Sequence, residues 1–317
     1  MKRYSFTVLL LLFLVSGLFV VCADDWVWTP ENGWVNRNYA GRSTVGPIYG
    51  EAKSLFEERR YDEAIMAFDR VLAARPVGRL REDALFFAAE ANYEAGRFYR
   101  AHVLYDQLLD EFPGTEKIRV VAEREFRIGQ AIVRGERKEF LVLFRVTSKA
   151  EGVAILRRVL DRYPTGEFAD DARFTIANYY FEEGRYMEAV VEYKALREND
   201  DYRDSEWRDV ALFQIGRCEE ASYQGPRYDT GPARAALESY ERYEKADPEG
   251  SRVADSESRR SELGEDLAKA DLMKARWYLQ WNRPLAARVY LRDVVELYPA
   301  TAGAEEARQL LRELEGE

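Results

Sequence analysis

The sequence holds one histidine, His102, and two cysteines, Cys22 and Cys218, in 317 residues. That scarcity leaves histidine-based catalytic triads and multi-histidine metal sites poorly supplied, and it excludes a disulfide framework or a cysteine-rich zinc site. No glycine-rich phosphate loop is present, since "GVAIL" at Gly152 lacks the spacing and the lysine such a loop needs. The chain is also short of positive charge, with 47 Lys and Arg against 57 Asp and Glu and a formal net charge of −10. An acidic balance argues against nucleic acid and against direct attraction to anionic lipid. No cofactor is implied. Cys218 reads as a small packed apolar residue.

Long apolar runs are missing too. The longest, Thr7 to Val21, is about fifteen residues, short of the ~20 that a spanning helix needs. Preceded by Lys2 and Arg3, it reads as the core of an export leader. Two cleavage readings compete. Val21-Cys22-Ala23 offers small residues at the first and third places, and a cut after Ala23 would remove residues 1–23 together with Cys22. Alternatively Cys22 carries a lipid, although bulky Val21 stands where a bacterial lipobox places Gly, Ala or Ser. The first reading is preferred, and under the second Cys22 is the candidate lipidation site. Either cleavage makes the mature chain more acidic, because the leader holds two bases and no acid. The protein is then expected in the periplasm, attached to the inner face of the outer membrane if Cys22 is lipidated.

What the chain does have is a repeat. In "AKSLFEERRYDEA" (52–64), "AEANYEAGRFYRA" (89–101), "ANYYFEEGRYMEA" (177–189) and "ARWYLQWNRPLAA" (275–287), alanine recurs after twelve residues. Phe68, Tyr105, Tyr193 and Leu291 follow four residues after the second alanine, and Pro76, Pro113 and Pro299 follow twelve after it. Ala236 to Pro248 keeps the same spacing, Gly152 to Pro164 keeps it with glycine, and Asp201 stands in the proline place of the fourth unit. Each unit reads as two amphipathic helices that cross at small side chains, the second helix being stopped by proline. Thr115 and Thr165 are the expected caps of the helices that follow.

This pattern resembles the tetratricopeptide repeat. The expected fold is all-α: a tetratricopeptide-type αα-superhelix (solenoid) of about six helix pairs plus a C-terminal end helix. The organisation is a signal peptide (1–23), a Trp-rich lead (24–46), the repeats (47–299) and a capping helix (300–317). Trp26, Trp28 and Trp34 in the lead read as a cap on the first repeat or as a partner contact, in preference to a membrane-interface anchor, because Asp24, Asp25 and Glu31 make the segment unattractive to anionic lipid. Two insertions stand out. "FLVLFRV" (Phe140–Val146) reads as buried helix in preference to a strand or a membrane-touching edge, and Ser222–Ala236 reads as a Gly/Pro-rich loop.

In such arrays the first helix of each unit lines a concave side, which points Tyr49, Lys53, Phe56 and Glu57 inward in the first unit. The same register selects Phe86, Glu90, Tyr93 and Glu94 in the second unit, and Phe174, Asn178, Phe181 and Glu182 in the fourth. Taken singly, each aromatic fits a core position better. As a set, they read as an aromatic, acidic groove for an extended or helical peptide, with Tyr49, Lys53, Phe56, Phe86, Tyr93, Phe174 and Phe181 as its binding residues.

Arg227 to Ala307 resembles the BamD family, the tetratricopeptide lipoproteins of the outer-membrane β-barrel assembly machinery. The matching points are Ala233–Ala236, Pro248, Leu267–Lys269 and Tyr298-Pro299. The resemblance implies a scaffold without catalysis. Its C-terminal repeats would dock to a barrel insertase and its N-terminal repeats would hold segments of unfolded outer-membrane proteins. The bulky Val21 and the Trp-rich lead depart from the family pattern. A second reading is a periplasmic adaptor similar to CpoB, working with the Tol system and cell-wall synthesis. A third, a wall hydrolase using a carboxylate pair, is disfavoured because every carboxylate sits in repeat context.

Overall fold

Prolines decide where many of the helices end. A residue before proline is pushed out of the α region, so the helix must finish ahead of it. In the computed structural model, Phe112, Tyr163, Asp247 and Tyr298 cap four helices with φ from −128° to −137° and ψ from 51° to 75°, each one residue before a proline. The structure describes residues 26–29, 33–36, 42–135 and 148–315. The leader, Cys22 and the Phe140–Val146 insertion lie outside them. The chain divides into two compact units, Met1–Ala84 and Leu85–Glu317.

The first unit opens with two strands, β1 (Trp26–Thr29) and β2 (Gly33–Asn36), paired antiparallel with Trp28 opposite Trp34. Among the described residues the lead thus adds a hairpin to elements that are otherwise helical. The side chains of Trp26, Trp28 and Trp34 lie outside the described set. Helix α1 (Arg42–Glu57) begins ahead of Pro47 and packs on α2 (Tyr61–Ala73). Val45, Val71 and Ala84 form their buried centre, with Ala84 contributed by the first half of α3 (Arg79–Glu94).

The second unit holds the rest of α3 and ten further helices. These are α4 (Phe98–Glu111), α5 (Ile118–Val133), α6 (Lys149–Arg162), α7 (Ala169–Glu182), α8 (Tyr186–Glu198), α9 (Trp207–Ala221), α10 (Gly231–Ala246), α11 (Val253–Gln280), α12 (Pro284–Leu297) and α13 (Ala302–Glu315). From α4 onward each helix packs on the next, and α13 returns to pack on α11 as well as α12. No described helix is long and apolar enough to cross a membrane.

The helix pairs are of tetratricopeptide type, and their small residues sit at the crossings. Ala52, Ala64, Ala89, Ala101, Ala177, Ala189, Ala236, Ala275 and Ala287 are fully buried. Two crossing partners escaped the twelve-residue rule. Gly129 of α5 faces Gly152 of α6, where a Cβ on Gly152 would lie 2.8 Å from the Gly129 carbonyl oxygen. Gly216 of α9 faces the Tyr240 ring of α10, 2.7 Å from where its Cβ would be. In both cases an insertion between the two helices lengthens the spacing.

The turns inside four pairs share one geometry. Arg59, Gly96, Gly184 and Asn282 take φ of 60°, 76°, 72° and 53°. The next residue, Arg60, Arg97, Arg185 or Arg283, donates its N–H to the carbonyl five residues back, at 2.8–2.9 Å. This is the Schellman termination, in which a left-handed residue lets the last carbonyls be satisfied. Glycine takes that conformation without a Cβ penalty, and Arg59 and Asn282 bear one.

Three local expectations change. Thr165 and Thr115 do not cap helices. The N-cap positions of α7 and α5 are Phe168 and Lys117 without a side-chain bond, because a tight turn follows each proline, and Thr115 accepts from Lys117 N inside that turn at 3.2 Å. The Ser222–Ala236 loop is shorter than expected. α10 already starts at Gly231, and Pro232 is tolerated there because N–H groups of the first turn have no intrahelical partner. Where Asp201 replaces the fourth closing proline, Asn199 ends α8 and its side chain accepts from Asp201 N at 3.0 Å, starting a 3-10 turn.

Candidate functional site

The aromatics assigned to the groove are half-buried, and three of them repeat one contact. Phe56 meets Tyr61, Tyr93 meets Phe98, and Phe181 meets Tyr186, with ring centroids 5.8, 5.6 and 5.5 Å apart. Each pair joins the end of one helix to the start of the next across the Schellman turn. Tyr49 packs edge-on against Phe68 at 6.1 Å, and burial pushes its phenol up to about 12, with the Asp83 charge adding to the shift. Lys53 is half-buried beside them on α1.

In the second unit α5 covers part of this face with cations. Arg124 lies 4.3 Å above the Tyr93 ring and donates to both oxygens of buried Glu90, at 3.1 and 3.0 Å. It is also 3.5 Å from Glu94. The Tyr105 hydroxyl donates to Glu90, and burial drives that phenol well above its ordinary range. Lys117 stands 5.7 Å from the centre of Phe86. Of the second-unit set, Glu90, Tyr93 and Glu94 thus converge on one guanidinium.

On α7 the cover is aromatic. Phe174 stacks on Trp207, the first residue of α9, and also meets Tyr193 at 5.9 Å. The Trp207 indole donates to Asp171 Oδ1 at 2.7 Å. Burial raises the Asp171 carboxyl, and this hydrogen bond partly offsets that. Arg217 lies 4.5 Å over Phe181. Tyr193 donates to Asn178 at 2.6 Å, and Lys149 pairs with Glu182 at 3.2 Å. Phe174, Asn178, Tyr179, Glu182, Lys149 and Trp207 line a cleft of about 360 Å³. It presents a ring wall, an amide and charges of both signs, which suits a peptide with an apolar side chain. Phe181 is not part of its lining and lies under Arg217.

Reasoning from spacing missed Trp207, Arg124, Arg217 and Lys149, all supplied by a neighbouring helix. Lys149 had a readable signal. Ser148 to Glu151 is a capping box, with Ser148 accepting from Glu151 N at 3.3 Å and the Glu151 carboxylate accepting from Ser148 N at 2.9 Å.

The single histidine and the described cysteine lie inside the packing. His102 Nδ1 and Glu125 Oε2 are 2.7 Å apart and both residues are buried; burial pushes the Glu125 carboxyl up. The buried Cys218 thiol is pushed up to about 12. Among the described residues no group of three or more His, Cys, Asp or Glu is arranged to hold a metal ion.

The family profile of the YfiO outer membrane lipoproteins matches residues 144–315, more than half of the chain. The chain belongs to the YfiO family. This is the BamD family, and its member here is a tetratricopeptide-repeat protein-interaction scaffold. Among solved structures, MamA AMB-1 is 18% identical, covering 66% of this chain and 95% of its own, with a TM-score of 0.38. YrrB, described as a TPR protein with an unusual peptide-binding site, is 15% identical, covering 70% and 99%, with a TM-score of 0.38. PilW, described as a type IV pilus biogenesis factor, is 17% identical, covering 84% and 98%, with a TM-score of 0.32. No curated protein sequence matches the chain.

Proposed function

We propose that this YfiO-family protein is a non-catalytic scaffold of outer-membrane protein assembly. In this reading it is exported to the periplasm and held at the inner face of the outer membrane, by a lipid on Cys22 or through partners. Its partners are a barrel insertase and unfolded outer-membrane proteins. The observation that carries the reading is the family match over residues 144–315. The α7–α9 cleft is the peptide-holding site of the second unit, with Phe174 and Trp207 as its apolar wall and Lys149 and Glu182 at its edge. Tyr49, Lys53 and Phe56 on α1 are proposed as peptide-binding residues of the first unit, and Phe86 and Tyr93 on α3 as further peptide-binding residues of the second. Large rings give contact area at low entropy cost, which favours chains without fixed structure.

A photocrosslinker placed at Asn178 in the native envelope tests this. Capture of an unfolded barrel protein, lost on Phe174→Ala, is expected. Capture of Tol components or wall-synthesis enzymes in place of barrel proteins would assign the protein to envelope adaptors of the CpoB kind.

A further inference from the structure

Helix α11 is too long for its neighbour. Its 28 residues span about 42 Å, whereas the 16 of α10 span about 24 Å. Arg234, in the first turn of α10, reaches Asp271 at 2.8 Å, so the turns of α11 after Asp271 run on past the start of α10. The overhang carries Met273, Trp277 and Trp281 on one face, at i, i+4 and i+8. In α7 and α9 the residue two places after the crossing small residue is buried, as Tyr179 and Cys218. Trp277 holds that place after Ala275 and is 53% exposed, with Trp281 at 66%. Just past the turn, Leu285 is 76% exposed. The Trp277 and Trp281 rings lie 6.0 Å apart.

The charge here opposes that of the whole protein. Residues 272–292 contain Lys274, Arg276, Arg283, Arg288 and Arg292 and no acid, in a chain of net charge −10. Lys274 shares Asp271 with Arg234, Arg276 pairs with Glu306, and Arg288 donates to the Leu314 carbonyl. Arg283 and Arg292 make no ion pair among the described residues. After these pairings Arg283 leaves the tip of the hairpin positive, opposite in sign to the chain as a whole.

We propose that the end of the α11–α12 hairpin is a contact with an anionic bilayer surface. Trp277, Trp281 and Leu285 enter the boundary between headgroups and acyl chains, and Arg283, beside the turn, meets lipid phosphates. Indole rings favour that boundary, and cations beside them favour an anionic leaflet. A projecting hairpin end with apolar groups on both sides of its turn fits a fluid surface better than a preformed protein pocket. The contact needs neither a lipid on Cys22 nor the assembly role.

The test uses the chain from Asp24 onward, free of any lipid. It is sedimented with vesicles of phosphatidylethanolamine and phosphatidylglycerol, and with phosphatidylcholine vesicles as the uncharged comparison. Salt-sensitive binding to the anionic vesicles is expected. The W277S/W281S/L285S variant should bind about tenfold more weakly, and Arg283→Glu should weaken the binding and its salt dependence. All these side chains are exposed, so the melting temperature should hold. Undiminished binding by the triple variant, or binding abolished by W26S/W28S/W34S instead, overturns the proposal. So does failure of the unaltered chain to bind vesicles while the same substitutions remove an acidic protein partner.

Discussion

Phe174 and Trp207 stack with ring centroids 4.1 Å apart and planes 11° from parallel. They join α7 to α9, the first helices of successive pairs, so one contact both lines the cleft and ties two repeats together. Truncating either ring should lower stability, and the two losses should not add. A double-mutant cycle over Phe174→Ala and Trp207→Ala should give a coupling of about 1 kcal/mol. Strict additivity in denaturant titrations would show that the rings merely lie side by side.

Glu192 does for charge what that stack does for apolar surface. It lies on α8, nearly buried, and accepts from Arg157 of α6 at 2.7 Å and Arg173 of α7 at 2.8 Å. Glu192→Gln keeps the shape and removes the charge that both guanidiniums need. A stability loss of about 2 kcal/mol is expected, the scale of hydrogen bonds to charged groups. It should appear as a lower urea midpoint at unchanged slope. An unshifted midpoint would mean that the neutral amide serves both guanidiniums as well as the carboxylate does.

The repeat was legible in the chain because its signals are local. Small residues a dozen apart, a closing proline and an aromatic after the turn all act within one helix pair, and the buried alanines follow from them. Gly129 and Gly216 were not legible, because insertions separate them from Gly152 and Tyr240 and break the count. The groove aromatics were found as a register but not as an environment. Nothing around Tyr93 in the sequence announces Arg124, and nothing near Phe174 announces Trp207, since both arrive from a later helix. Hairpin β1–β2 was missed for another reason: residues 26–36 were read for their tryptophans, and the alternation of the strands was passed over.

Asp106 gives a pH prediction. Burial raises its carboxyl, but Arg158 and Arg162, the latter 2.8 Å away, more than cancel this and hold it below the ordinary 3.8. A carboxyl whose folded value is depressed adds stability above its unfolded value and loses it as pH falls through the folded one. Asp106→Asn should therefore be less stable than the unaltered protein at neutral pH. The gap should narrow as pH falls from about 4 to about 2. Denaturation curves at several pH values check it, and a gap that widens on acidification would reverse the assigned sign.

Two glycines in helices should respond oppositely to the same methyl group. Gly50 lies in α1 with open space where a Cβ would go, so Gly50→Ala gains helix propensity of about 0.5–1 kcal/mol. At Gly152 the added Cβ would sit 2.8 Å from the Gly129 carbonyl oxygen and 2.9 Å from Val133 Cγ2. The near atom is backbone and cannot swing aside, so α5 and α6 must separate. Gly152→Ala should cost about 1–3 kcal/mol despite the better propensity of alanine. Thermal melts of the two variants measured side by side decide it. Stabilisation at both positions would mean that the α5–α6 crossing is looser than the Gly129–Gly152 approach implies, and that small residues there answer to propensity alone.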